Sequence, residues 1–143
     1  MTPIQIGRLL RSTITNCVMG CRVTEMDAPA FGGMVRIPQA GGLQIYGLIY
    51  DMTIEDDGLV RQLVTAENIS DDVILDNRIN RNVPVEISVL FIGYAQGDAV
   101  HHLLPPRPPL TLDTIFPCTP EEICRFTAAG RFGYFRHLLR AAD

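Results

Sequence analysis

Residues 83–94 set the strongest constraint on what this chain can fold into. Val83, Val85, Ile87, Val89 and Phe91 alternate there with Pro84, Glu86, Ser88, Leu90 and Ile92. A period of two, carried by β-branched and aromatic residues, marks a β-strand. A strand needs partners, and five other runs supply them. Residues 4–12 alternate weakly. Residues 15–24 alternate better, with Cys17, Met19, Cys21 and Val23 on one face. Residues 34–38 form a short run ended by Pro38, which has no N–H for a ladder. Residues 43–54 are apolar on both sides, which predicts a central or bent strand, with Gly47 as a bulge or barrel corner. Residues 99–104 read as the last strand.

The segments between these runs are turns by composition: residues 27–33, the Gln39-Ala40-Gly41-Gly42 stretch and Gly97-Asp98. Over residues 59–80 the period changes to that of two short helices, with Ser70 or Asp71 as a candidate N-cap. Six short strands, Gly/Pro turns and one helical interruption predict a mainly β fold: a six-stranded small closed β-barrel with a short helical excursion and a C-terminal helical tail. The expected division is a barrel domain over residues 1–104, a Pro-rich extended linker over 105–118, and a helical tail over 119–143. In this reading the tract Pro105-Pro106-Arg107-Pro108-Pro109 ends the barrel and leads away as polyproline II. Deleting everything after Arg107 is then expected to leave a folded barrel, provided the tail is a partner arm. In the tail, Thr119-Pro120-Glu121-Glu122 has the form of a capping box. A first helix should stop at Gly130, and a second should span 132–142.

Size and charge narrow the function. The 143 residues suit one domain, and no run reaches the ~20 apolar residues of a membrane helix. The first five residues have no secretory pattern, so a cytoplasmic location is the expectation and no membrane role is read. Net charge is −4, which weakens the case for non-specific nucleic-acid binding. All twelve basic residues are Arg, so lysine-dependent chemistry is excluded. The four cysteines, Cys17, Cys21, Cys118 and Cys124, have no metal or redox spacing and read as reduced, mostly buried thiols. Adjacent residues His101 and His102 point to opposite faces of a strand and cannot chelate one metal together. His137 reads as solvent-exposed or partner-facing. The acidic group Asp51, Glu55, Asp56 and Asp57 reads as a solvated turn. No phosphate-loop, dinucleotide, zinc-protease or serine-hydrolase motif is present. No catalytic residue, metal ligand or cofactor is assigned, and the expectation is a protein that is not an enzyme.

The tail carries the most unusual pattern. Arg125, Arg131, Arg136 and Arg140 interleave with Phe126, Phe132, Tyr134 and Phe135. Three readings fit: aromatics packed on the barrel with solvated arginines, a protein-docking surface, or a single-strand nucleic-acid stacking surface. The candidate partner-binding residues are Arg107, Arg125, Arg131, Phe132, Tyr134, Phe135, Arg136 and Arg140.

Three segments resemble the HAS-barrel family, the barrel shared by HerA-type DNA-translocating ATPases and rotary ATP synthase subunits. They are Ile6-Gly7-Arg8-Leu9-Leu10 with Ser12-Thr13-Ile14-Thr15, then Gln44-Ile45-Tyr46-Gly47-Leu48-Ile49, and Leu104-Pro105-Pro106-Arg107-Pro108-Pro109. The resemblance covers roughly residues 5–110. It implies a six-stranded barrel that mediates subunit or partner contacts on a ring ATPase. No Walker motif follows, so ATP hydrolysis is not carried over. The expected role is a non-enzymatic assembly or docking module for DNA processing. Its partner would be a HerA-like ATPase, a NurA-like nuclease or a second copy of the chain. The alternative is a small barrel that binds nucleic acid directly through its Arg and aromatic surface.

Overall fold

A computed structural model describes residues 5–21, 29–55, 58–79 and 85–141. The chain runs β1 (Gly7–Ser12), β2 (Asn16–Cys21), β3 (Met34–Pro38), β4 (Leu43–Thr53), α1 (Leu59–Val64), α2 (Asp71–Ile79), β5 (Val85–Gln96), β6 (Ala99–His101), β7 (Thr114–Pro117), α3 (Pro120–Ala128) and α4 (Phe135–Ala141). The strands hydrogen-bond in the order β2-β1-β7-β3-β4-β5, and β2 also pairs with β5, which closes a six-stranded antiparallel barrel. β6 stands outside the ring, paired to the end of β5 through Tyr94–His101 and Gln96–Ala99. Closure removes the free edges that would otherwise recruit other strands.

Side-chain alternation explains the interior. Leu9, Cys17, Met19, Val35, Ile37, Ile45, Ile49, Val85, Ile87, Val89, Phe91 and Ile115 fill the barrel. A second cluster, Met34, Tyr46, Ile92, Ala95 and Phe126, lies beneath the tail, with Tyr134 and Leu138 packed against it. This outer cluster is why β4 is apolar on both sides. One face lines the barrel and the other is roofed by helices. Gly47 sits at a register shift between β4 and β5, where a side chain would strike Val89. In the excursion, Ser70 Oγ accepts from the Val73 amide and caps α2.

The sixth stave differs from the expected one. Residues 99–104 yield only the short outer strand β6, and the barrel is completed by β7, inside the segment expected as a linker. The proline tract does not lead away. Pro105 and Pro109 are buried, and Ser12 Oγ donates to the Pro109 carbonyl at 2.6 Å. A turn at Leu110–Asp113 follows, in which the Asp113 carboxylate accepts from the Leu110 amide at 2.9 Å and from Gln39 Nε2 at 2.9 Å. The chain then re-enters between β1 and β3, placing Ile115 wholly in the core. The expected starts of the first and fifth strands, Asp56 and the other expectations for residues 4, 22–28, 56–57 and 80–84 lie outside the described residues. Among the described residues, no helix is long and apolar enough to cross a membrane.

Candidate interaction surface

The tail begins with a capping box. Thr119 Oγ1 accepts from the Glu122 amide at 3.2 Å, and the Glu122 carboxylate accepts from the Thr119 amide at 2.9 Å. Pro120 occupies the first helical turn, where no backbone donor is needed. Glu122 also pairs with Arg36 of β3 at 3.1 Å, and the Arg36 guanidinium lies 4.8 Å from the Phe116 ring centre. These contacts aim α3 so that Phe126, 1% exposed, enters the outer cluster with its ring 4.9 Å from Tyr46. The notch that receives it is Gly93. A Cβ there would stand 2.6 Å from the Phe126 ring.

Two histidines fasten the rest. His102 Nε2 donates to the Phe126 carbonyl at 2.7 Å, and His137 Nε2 donates to the His102 carbonyl at 3.0 Å. The end of β6, α3 and α4 are thereby joined in one chain of hydrogen bonds. The expectation of an exposed His137 is overturned, because that side chain is 3% exposed. A lone histidine in an Arg-rich helix carries no sign of its burial; its partner is a backbone carbonyl. Burial holds the His137 pKa below its ordinary value of 6.5, outweighing the upward pull of the His102 carbonyl, and positive Arg140 and Arg136 add to the lowering. The unfolded chain therefore binds a proton that the folded chain resists. Stability from this group is complete above pH 6.5 and declines as pH falls below it. Denaturant midpoints measured from pH 7.5 down to 5 should fall more steeply for the wild type than for His137→Gln, whose amide can keep the donor to His102.

The structure divides the expected site residues, and it buries Phe126, an aromatic of the same tail pattern, in the core. Tyr134 is half-buried, with its ring 5.1 Å from His102. Arg125 is exposed, and its pKa is raised by its hydrogen bond with Tyr46. Arg107 is exposed on a different segment, the proline tract. Phe132 and Phe135 are 65% and 49% exposed, their rings 6.1 Å apart, and Phe135 stacks on Tyr134 at 4.8 Å. Arg140 is exposed but lines a separate hollow with His137, Thr15 and Asn16, while Arg131 and Arg136, adjoining the two phenylalanines in sequence, are exposed as well. Leu139, also exposed, belongs to this surface and was missed. α4 starts at Phe135 rather than 132, because residues 130–134 form a turn with Gly130 at φ 63° and Phe132 at φ 58°. That shift turns Leu138 inward and Leu139 outward.

Of the four thiols expected to be mostly buried, only Cys17 is; Cys21 and Cys118 are half-buried. Burial pushes Cys17 and Cys118 up to about 12, with Glu122 adding to the rise at Cys118, while Cys124 is exposed. Among the described residues no group of three or more His, Cys, Asp or Glu side chains is placed to hold a metal ion. Geometry thus defines a small closed β-barrel protein whose helical tail is locked to the wall and turns an Arg and aromatic face outward. No protein-family model matches the chain, and no curated protein matches it.

Proposed function

We propose that this chain is a non-enzymatic assembly module that docks a protein partner through the exposed face of its tail. The observation that supports the reading most is Phe132. It is a bulky residue at positive φ, a conformation that costs about 1–3 kcal/mol, and it is turned toward solvent rather than into a core. Together with Phe135, Leu139 and the flanking arginines, it has the composition of an interface anchor. The resemblance to HAS barrels extends the reading to DNA processing, with a HerA-like ATPase, a NurA-like nuclease or a second copy as the partner.

Substitution at Phe132 separates stability from docking. Phe132→Gly relieves the backbone and should raise the unfolding free energy by about 1 kcal/mol, while removing the anchor. Chemical denaturation reads the first effect. Affinity purification with the wild type as bait should return an ATPase, a nuclease or the chain itself, and the Phe132→Gly/Phe135→Ala/Leu139→Ala variant should lose it. Recovery of none of these partners, or equal recovery by the variant, sinks the proposal.

Direct nucleic-acid binding is the second reading, favoured by the Tyr134–Phe135 stack on a segment that also carries the exposed Arg131 and Arg136. A salt series with single-stranded and duplex DNA decides it. Phosphate contacts weaken steeply with salt, and absence of binding at low salt removes the idea.

A further inference from the structure

Charge is divided along this chain. Residues 123–142 hold four arginines and no carboxylate, whereas residues 51–80 hold eight carboxylates and two arginines. The acidic stretch contains the helical excursion, and none of its described side chains from 58 to 76 is buried. Val64, Val73 and Leu75 are exposed there. Asp71 and Asp72 stand four and three positions before Leu75, so the carboxylates and the leucine share one side of α2. Exposed apolar side chains grouped among charges mark an interaction surface. The tail has the same construction with the opposite sign: Phe132, Phe135 and Leu139 are exposed, with Arg131 and Arg136 adjoining. Among the described residues, no ion pair includes Arg131, Arg136, Glu67, Asp71 or Asp72. Both faces therefore keep their charge uncompensated within the chain.

We infer that the acidic face of the excursion docks onto the basic, aromatic face of the tail on a second copy of this chain. The inference rests on the reading of the tail as a docking face, and it names the occupant. The two faces of one chain are held apart. β5 begins at Val85, after the excursion, and its far end carries β6, against which the turn before α4 lies. β5 is 12 residues long, so its ends stand roughly 35 Å apart at about 3.3 Å per residue. The contact joins unlike surfaces and is therefore heterologous: each copy offers its tail to one neighbour and its excursion to another. Opposite charge steers the encounter and sets the orientation, and burial of Val73 and Leu75 against the two phenylalanines holds it. Two tails, or two excursions, repel each other.

Sedimentation of the full chain over about 5–500 μM, a span suited to weak complexes, reads the association. The average mass should rise with concentration at low salt and fall back toward the monomer as salt screens the charges. Arg131→Glu/Arg136→Glu makes both faces acidic, and Asp71→Arg/Asp72→Arg makes both basic. Each variant alone should associate at least about tenfold more weakly than the wild type. Mixed in equal amounts, the two should form a heterodimer that grows no further, because the unaltered excursion of the first meets the unaltered tail of the second. That pairing uses neither altered face, so it does not depend on how α2 tolerates arginine at its start. Monomer at every concentration, assembly that survives either reversal, or a mixture that stays monomeric overturns the inference. If the mixture stays monomeric while the tail still recovers a different protein by affinity purification, the docking reading stands and only its occupant changes. Loss of both results sinks the two together.

Discussion

A chain truncated after Arg107 is expected to lose cooperative folding altogether. Such a truncation removes β7, which is hydrogen-bonded to β1 on one side and β3 on the other. It also removes Ile115, fully buried in the barrel, and Asp113, whose carboxylate ties the return turn to Gln39. Two strand edges would open to solvent, and the second cluster would lose Phe126. A domain's whole stability is about 5–15 kcal/mol, and loss of one stave of six together with its core residue consumes a margin of that size. Circular dichroism and urea unfolding should show no sigmoidal transition. Truncation after Pro117 instead keeps the barrel closed and strips only the tail. That protein should unfold cooperatively at a lower midpoint, with Met34, Tyr46 and Ile92 uncovered. A cooperative transition in the shorter truncate would mean that β7 is dispensable to the barrel.

The second large effect is expected at the joint between tail and wall. Phe126→Ala should cost about 3–5 kcal/mol, the range for removing a fully buried aromatic ring. Its ring meets Tyr46, His102 and the Gly93 notch. Gly93→Ala tests the same joint from the barrel side. The new methyl would collide with Phe126 and with the His101 carbonyl, so α3 must lift. Both variants should fail in the same way, by freeing the tail before the barrel melts. Equilibrium urea unfolding followed by tyrosine fluorescence reads the cost. A loss under about 1 kcal/mol for Phe126→Ala would show that α3 contributes little to the fold.

The strands that carry period-two runs were legible in the sequence. β3 matches its expected bounds, and β2, β4 and β5 follow their alternation, because one or both faces of each are buried. The bulge at Gly47 and the capping box at Thr119 were also readable, since each depends on local residue chemistry. β7 was not. It has four residues, only Ile115 is fully buried, and it ends on a proline. Its place in the barrel comes from long-range pairing, with a proline tract before it that suggests departure. The tail was half legible. Arg and aromatic enrichment marked the right region, yet burial of Phe126 and His137 depends on Gly93 and on the His102 carbonyl, far off in sequence. The turn at Phe132 was hidden because Phe has no preference for positive φ.

Amide hydrogen exchange on the full chain tests the central claim, that the tail is part of the fold while one of its faces stays free. The expected result is slow exchange of α3 and α4 amides, within the same cooperative unit as β5, in the protein without a partner. Exchange of residues 120–141 at unstructured rates, beside a protected barrel, would contradict it.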